Sequence, residues 1–258
     1  MTILEALPRL LGNMDVDAVA QLREATERIG IAIHTGVEVQ RIERAGARLR
    51  VIYEEGESEH VAEAERVVNG AGRVANVDSL DLAASKVSAE RQRIALDAYL
   101  RSTSNPAVYV CGDAVAEHAQ LSPIATYEGR IVGRNIVEGP KHTPDYASIP
   151  SCVFTAPALA SVGLTQATTE ANGIEHRIAV NDVHEWLSGR TYAETAAWAK
   201  VVIDNRTDRI LGAHLLGHTG EELIHIFALA IKHGITATEI RDFVYGFPTF
   251  SADIKSML

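Results

Sequence analysis

Cysteine is scarce in this chain, and the scarcity limits the redox chemistry that the chain can perform by itself. The 258 residues include only two cysteines, Cys111 and Cys152. They are far apart in sequence, the first inside an apolar segment and the second in the run SCVF. Neither is placed as half of a local redox pair. We expect both to be free, buried core residues.

Long apolar runs and an excess of positive charge are also lacking. No segment approaches the roughly 20 uncharged residues of a membrane-spanning helix, and the start MTILEALPRLLGNMD has acids where a signal peptide has basic residues. The formal charge is −10, with acids and bases interspersed, which argues against a nucleic-acid-binding protein. We therefore expect a cytoplasmic protein whose partners include neither nucleic acid nor membrane.

The first half of the chain alternates strand and helix signals. A helix is predicted for DVDAVAQLREATERIG, because its apolar residues have helical spacing and Gly30 supplies a stop. A second helix is predicted from about Pro123 to Val137. Strands are predicted for TILEAL, IAIHTGVEVQRIER, RLRVIYEE, VVNGAGRVAN and VYVCGDAV. This alternation indicates an α/β fold.

The composition changes at Glu138 to Pro150, where EGPKHTPDYASIP has little apolar content and reads as a linker. After it, two strands are predicted around the turn Asp204 to Asp208. The apolar helix GEELIHIFALAIKHG follows, and Thr236 to Glu239 forms a capping box for a last helix. This half is predicted to be α+β.

The segment Val108 to Val115, VYVCGDAV, carries an apolar strand directly into Gly112 and Asp113. An aspartate at the tip of a strand is often solvated or caps the next helix. It can also bind a ligand, because open α/β sheets bind ligands at the carboxyl ends of their strands. The residues alone leave both interpretations open.

Six segments, spread over most of the chain, form one ordered pattern. They are VVNGAGRVAN, NPAVYVCGDAV, LSPIATYEGR, FTAPALASVGLT, RILGAHLLG with GEELIH, and FPTFSADI. In order and spacing they resemble the second half of FAD-dependent pyridine nucleotide-disulfide oxidoreductases, such as dihydrolipoamide dehydrogenase, glutathione reductase and mercuric reductase. The resemblance is specific because all six occur in the right order, whereas each alone is common.

The resemblance implies an α/β fold followed by an α+β fold. Residues 1–68 would be the C-terminal part of an NAD(P)-binding domain, residues 69–147 the C-terminal part of an FAD-binding domain, and residues 148–258 a dimerisation domain. The first two would be truncated Rossmann-like remnants. A homodimer would form through residues after Pro150.

The resemblance also implies roles in binding FAD. Asp113 would accept hydrogen bonds from the ribityl hydroxyls, while Gly112 would let the backbone approach the cofactor. Leu121, Ser122 and Pro123 would begin the next helix near the flavin ring, with free backbone amides at its pyrimidine edge. Proline is compatible with a first helical turn.

Glu5, Gly72 and Arg73 are candidates for the nicotinamide side of the site and for the passage between domains. By resemblance, Glu5 would bind the adenosine ribose and favour NAD over NADP, although a lone glutamate after a strand is more often a surface residue. Gly70 and Gly72 are either a tight turn or the crossover to the flavin domain. The crossover is favoured because Arg73 and Asn76 also match.

The chain departs from the family in three places. It contains no GxGxxG and no redox-active cysteine pair, so we expect a C-terminal fragment with little or no activity alone. Phe247 stands before Pro248-Thr249, where disulfide-reducing members carry a proton-shuttling histidine. A parent enzyme would therefore reduce another acceptor, such as a quinone or a metal.

Two other interpretations stay open. In the first, the chain is a non-catalytic dimerisation module, whose apolar helix Glu221 to His233 and tail residues Phe247, Phe250 and Leu258 would be exposed in a monomer. In the second, it is a cofactor-free α/β protein of unrelated function. His214, His218 and His225 are predicted to be core or surface residues rather than metal ligands.

Overall fold

The strands and helices fall into two units in the computed structural model, which describes residues 1–91, 93–115 and 119–258. The first unit combines residues 1–67 with residues 147–258, and the second comprises residues 68–146. Within the described residues, no helix is both long and apolar enough to cross a lipid bilayer.

The N-terminal part of the first unit contains one helix, α1 (Val16–Arg28), and five strands. The strands are β1 (Thr2–Glu5), β2 (Ala32–Thr35), β3 (Val37–Ala45), β4 (Arg48–Glu55) and β5 (Ser58–Ala64). β1 and β2 pair in parallel with Glu5 opposite Thr35, while β3, β4 and β5 form an antiparallel sheet. α1 begins at Asp15, whose side chain accepts the backbone N–H groups of Asp17 and Ala18.

The C-terminal part of the first unit is a five-stranded antiparallel sheet with short helices around it. Its strands are β8 (Ser151–Val153), β9 (Leu159–Gly163), β10 (His176–Asp182), β11 (Trp198–Asp204) and β12 (Ile210–Leu216), in the order β10-β11-β12-β9-β8. The helices are α3 (Gln166–Ala171), α4 (Leu187–Thr191), α5 (Gly220–His233), α6 (Ala237–Asp242) and α7 (Phe250–Asp253).

Strand β11 lies between β10 and β12 in this sheet and is buried on both faces. Successive side chains of a strand point to opposite faces, so Ala199 and Val201 share one face while Trp198 and Lys200 share the other. The first face joins a core with Leu223, Ile224 and Phe227 of α5; Trp198 packs with Val19 and Leu22 of α1. The sheet therefore holds α5 on one side and α1 on the other.

The second unit holds α2 (Ser122–Glu138) and a short hairpin of β6 (Ala89–Glu90) and β7 (Arg93–Ile94). The predicted strands VVNGAGRVAN and VYVCGDAV are wrong for the described residues: neither segment is a regular strand. Val108 to Val110 is hydrogen-bonded to residues 100–102, through the bridge Arg101↔Tyr109 and the bond from Val110 N–H to the Leu100 carbonyl. An apolar segment becomes a strand only where neighbouring strands supply its hydrogen bonds.

The apolar surface expected in the C-terminal part is smaller than the sequence suggested. Most of α5 packs against its own sheet, with Phe227 fully buried, although Leu229 stays 55% exposed. In the tail, Phe247 is 76% exposed, whereas Phe250 is half-buried and stacks edge-on against His218. The prediction that Phe250 and Leu258 are exposed was therefore wrong, because both are half-buried and pack against the core of this domain.

Replacing Asp208 by asparagine is expected to change how the stability of the first unit depends on pH. The hydrogen bond from Arg177, with that from Thr238, lowers the pKa of Asp208 from 3.8 to about 2. The ionised carboxylate thus stabilises the fold above about pH 4, and this contribution is lost as the pH falls towards 2. The Asp208 side chain is 29% exposed, so we expect less than about 1 kcal/mol.

Urea unfolding of the wild type and Asp208→Asn at pH 7, 4 and 2.5 would measure this difference. The gap between the two proteins should close as the pH falls. Asparagine tolerates the left-handed backbone found at this position, where φ is 59°, so the substitution tests the charge. The exposed Asp242 offers a control, Asp242→Asn. A gap that stays constant across this pH range would contradict the prediction.

Candidate functional site

The candidate site in the second unit is built around Gly112 and Asp113, at the end of the extended segment Val108–Cys111. Residues Gly112–Ala114 form one turn of 3-10 helix. Gly112 has φ of 68°, and a Cβ there would lie 3.1 Å from Ala125 Cβ of α2. Both the backbone conformation and this close approach favour glycine. The turn leaves Asp113 with a side chain that is 52% exposed.

Arg73 joins this turn to the start of α2. Its Nη1 lies 3.1 Å from Asp113 Oδ2, and its Nη2 donates to the Gln120 carbonyl at 3.3 Å. The Gln120 side chain in turn donates to the Asp113 carbonyl at 3.2 Å. Arg73, Asp113 and the residues just before α2 thus form one surface cluster. Because Arg73 is 63% exposed, this ion pair can exchange for other hydrogen-bonding partners at little cost.

Helix α2 begins beside this cluster. Its N-cap residue, Leu121, has an extended backbone and provides no side-chain hydrogen bond, and proline stands in the first turn at Pro123. The first-turn N–H groups of a helix have no partner within the helix. Ser122 and Pro123 are exposed, so this end of α2 is open to an electron-rich or anionic group.

Glu128, which the sequence analysis missed, connects the turn at Gly112 to the interior of helix α2. Its side chain is fully buried in α2. Oε2 accepts the Gly112 backbone N–H at 2.6 Å, and Oε1 accepts the Tyr146 hydroxyl at 2.7 Å. Burial, with this hydrogen bond, raises the pKa of Tyr146. Partial desolvation of the thiol by neighbouring groups, followed by the Glu128 charge, raises the pKa of Cys111.

The two cysteines are free, but their predicted burial was wrong for Cys111, which is exposed. Cys152 is half-buried, and burial followed by the charges of Glu221 and Glu222 raises its pKa. A raised thiol pKa reduces the thiolate fraction at neutral pH. Neither cysteine therefore has the environment of an activated redox thiol.

Glu5 and Gly72 lie outside the Asp113 cluster. Glu5 ends β1 in the first unit, is half-buried, and its Oε1 accepts the Leu7 backbone N–H at 2.9 Å. Gly72 has φ of 98°, and its N–H donates to the Gly70 carbonyl at 2.8 Å; a tight turn is therefore present, while the favoured crossover to the flavin domain stays a prediction. The cofactor roles of both residues stay predictions.

A buried ion pair in the first unit also escaped the sequence analysis. Lys200 Nζ lies 3.0 Å from Asp15 Oδ2 and 2.7 Å from Asp17 Oδ2, and both Lys200 and Asp15 have side chains only 1% exposed. Burial lowers the pKa of the neighbouring His214. Its Nε2 lies 3.2 Å from the Leu164 carbonyl, which can only accept, so this nitrogen carries the proton. The cluster fixes the start of α1 on the sheet.

His218 forms a second buried polar network in this unit. Its side chain is 2% exposed, with Nδ1 2.7 Å from Glu194 and Nε2 2.8 Å from Asp253. The Ser188 hydroxyl donates to Asp253 as well. The network joins α4, the start of α5 and the tail helix α7. Within the described residues, no group of three or more His, Cys, Asp or Glu side chains is arranged to hold a metal ion.

The described residues fit the ribityl chain and ring edge of a flavin cofactor better than its pyrophosphate. A partly exposed carboxylate at Asp113, a glycine with a positive φ beside it, and an open helix start suit a chain of hydroxyls and a polar ring edge. The pyrophosphate of a dinucleotide is usually bound by a glycine-rich turn before a helix. The sequence contains no GxGxxG, the turn that would be expected for that part.

Comparison with known proteins agrees with this architecture. The family model for pyridine nucleotide-disulphide oxidoreductases matches residues 1–129, and the model for the dimerisation domain of these enzymes matches residues 149–258. A solved structure of a Cu(II) complex of the HOCl-induced flavoprotein disulfide reductase RclA from Escherichia coli superimposes with a TM-score of 0.88 at 25% identity, covering 99% of this chain and 57% of that one.

Two curated relatives match this chain over very different shares of their own length. An uncharacterized 19.7 kDa protein in the mercuric resistance operon of Staphylococcus aureus is 34% identical over 180 residues, which are 69% of this chain and 100% of that protein. The mercuric reductase of Bacillus cereus is 29% identical over 256 residues, which are 99% of this chain but 40% of the reductase. The chain therefore spans about half the length of the reductases that it matches.

Proposed function

Because this chain belongs to the pyridine nucleotide-disulphide oxidoreductase family, we propose that it provides part of the FAD and NAD(P)H sites of an oxidoreductase. Members of the family use FAD and NAD(P)H. When bound, FAD would supply the hydride and electron transfer between NAD(P)H and an acceptor. The observation that carries the proposal is the cluster of Arg73, Asp113 and the α2 start.

Asp113 has the central role in this proposal. Its exposed carboxylate accepts hydrogen bonds from the ribityl hydroxyls, in place of or beside the present bond from Arg73. Gly112 lets the backbone lie close to the cofactor. The helix start at Leu121, Ser122 and Pro123 presents the N–H groups of Ser122 and Ile124 to the pyrimidine edge of the flavin ring, because Pro123 has no N–H and that of Leu121 donates to the Ala119 carbonyl. Negative charge at that edge is stabilised by a helix N-terminus.

Glu5 sets the preference for the nicotinamide cofactor in the same proposal. It ends a parallel strand, which is the position where an acidic residue binds the adenosine ribose in NAD-binding folds. A glutamate there would repel the 2′-phosphate of NADP. The proposed cofactor is therefore NAD rather than NADP.

The proposed electron acceptor is not a disulfide. Phe247 is 76% exposed and stands where disulfide-reducing relatives carry a histidine. A phenyl ring cannot transfer a proton to a leaving thiolate. An acceptor that takes electrons without a proton from this residue, such as a quinone or a metal ion, fits the tail better.

Asp113→Asn is expected to weaken FAD binding by about tenfold or more, because hydrogen bonds to a charged acceptor are the stronger ones. Titration of the purified chain with FAD, followed by flavin fluorescence and visible absorption, measures this affinity. Glu138→Gln, at the exposed end of α2, is the matched control and should bind like the wild type. Failure of the wild type to bind FAD at any concentration would refute the proposed flavin site.

A second candidate function, a dimerisation module without catalysis, is favoured by the match of residues 149–258 to the dimerisation domain. Exposed apolar side chains lie in the same part of the chain, including Phe154, Val244 and Phe247. Sedimentation equilibrium of the nucleotide-free chain distinguishes the candidates. A two-fold dimer that binds no FAD would support the module, whereas a monomer that retains FAD would exclude it.

A further inference from the structure

Glu128 is the buried titratable residue of the second unit that the proposed function has not used. Its side chain has no solvent exposure, although a buried carboxylate destabilises a fold unless hydrogen bonds satisfy it. Its neighbours along the buried face of α2 are Ile124, Ile131 and Asn135. A carboxylate retained at such a position has contacts that compensate for its burial.

The contacts of Glu128 are directed at the turn that presents Asp113. One carboxylate oxygen accepts the Gly112 N–H at 2.6 Å, and the other accepts the Tyr146 hydroxyl at 2.7 Å. A hydrogen bond to an ionised acceptor is shorter and stronger than a neutral one. Glu128 thus connects the α2 interior to the Cys111–Gly112 peptide group, one residue before Asp113.

The backbone position of Gly112 makes its hydrogen bond to Glu128 sensitive to the length of the Glu128 side chain. Gly112 has a positive φ and lies against Ala125, one turn before Glu128 on the same helix. The carboxylate and Ala125 therefore hold the turn from two points on one helix face. The direction in which Asp113 leaves the turn is fixed by this hold, because φ of Gly112 rotates everything that follows it.

We propose that Glu128 is a positioning residue for the flavin site: its hydrogen bond to the Gly112 N–H holds the turn so that the Asp113 carboxylate faces the ribityl chain. The inference rests on the proposed function and names a residue that acts on the cofactor only through Gly112 and Asp113. It also explains why a helix residue without access to solvent carries a carboxylate.

Two conservative variants separate the reach of the side chain from its charge. Glu128→Gln keeps the length and an acceptor oxygen for Gly112, while its amide can donate to the Tyr146 oxygen. Glu128→Asp keeps the charge but is shorter by one methylene, which withdraws the carboxylate from Gly112. We expect FAD affinity within about threefold of the wild type for Glu128→Gln and at least about tenfold weaker for Glu128→Asp.

A second measurement, made without FAD, tests the hydrogen bond from Gly112 to Glu128 directly. The Gly112 amide proton, observed by NMR in the FAD-free chain, should lie far downfield in the wild type and move upfield in Glu128→Asp, with Glu128→Gln in between. Glu138→Gln, an exposed glutamate on the same helix, should change neither measurement. Combining Glu128→Asp with Asp113→Asn should add little further loss of affinity, because both changes disable the same contact.

Each possible result of these measurements either supports or overturns the positioning role of Glu128. Unchanged FAD affinity in Glu128→Asp, or a larger loss in Glu128→Gln than in Glu128→Asp, would overturn the positioning role while the flavin site stands. A wild type that binds no FAD would overturn both the flavin site and the role of Glu128 in it. The expected ranking, together with the matching shift of the Gly112 amide, would establish the role.

Discussion

Replacing Lys200 by alanine is expected to lower the free energy of unfolding of the first unit by about 3–5 kcal/mol. Lys200 and Asp15 both have side chains that are 1% exposed, and Lys200 Nζ lies 3.0 Å from Asp15 Oδ2. Removing the ammonium group would leave the Asp15 carboxylate buried without its charged partner. Such uncompensated burial is far more destabilising than the loss of a surface ion pair.

The expected loss is large because Asp15 has two structural tasks. Besides binding Lys200, it accepts the N–H groups of Asp17 and Ala18 as the N-cap of α1. Burial works against its ionised form, yet His214, Lys200 and the Ala18 N–H together keep the pKa of Asp15 below 3.8. Without Lys200, protonation or movement of Asp15 would weaken the N-cap of α1 and the packing of α1 on the sheet.

Urea unfolding followed by circular dichroism measures the effect of Lys200→Ala. The exposed Lys232 in the last turn of α5 offers a control, Lys232→Ala, which should change the free energy of unfolding by less than about 0.5 kcal/mol. Combining Lys200→Met with Asp15→Asn should recover part of the loss, since it removes both charges and keeps the volume. A cost below about 1 kcal/mol for Lys200→Ala would show that water reaches the pair.

Local signals predicted the elements that depend on local interactions. The capping box at Thr236 and Glu239 is present, and α5 ends at Gly234 with φ of 67°. The strand predicted at Val108 to Cys111 is absent as a regular strand, because a strand depends on neighbours that the sequence pattern does not reveal. Helices could thus be placed from the sequence more securely than strands.

The candidate site could be predicted in part. The resemblance pointed to Gly112, Asp113, Arg73 and the start of α2, and the structure brings these residues together. Glu128 and Lys200 were missed because charged residues are normally assigned to the surface. Both left a signal: Glu128 occupies an apolar position of the amphipathic helix α2, and Lys200 interrupts the apolar strand WAKVVID.

The purified chain, supplied with FAD, is expected to oxidise NADH at least about 10³-fold more slowly than a full-length mercuric reductase under the same conditions. Hydride transfer requires two rings held in contact, and correct positioning alone contributes factors of about 10⁵ or more to such reactions. Asp113 and the α2 start hold only one end of the flavin in the proposal. Both pyrophosphates lack a GxGxxG turn in this chain.

NADH oxidation, followed by the loss of absorbance of the reduced nicotinamide, tests this expectation with ferricyanide as an acceptor that needs no proton. This acceptor separates the effect of the missing GxGxxG turns from the effect of the missing histidine. Phe247 matters only for acceptors that require proton transfer. Phe247→His should therefore leave the ferricyanide rate unchanged. Rapid NADH oxidation by the wild-type chain, with FAD retained through gel filtration, would show that Asp113 and its neighbours hold both cofactors without glycine-rich turns.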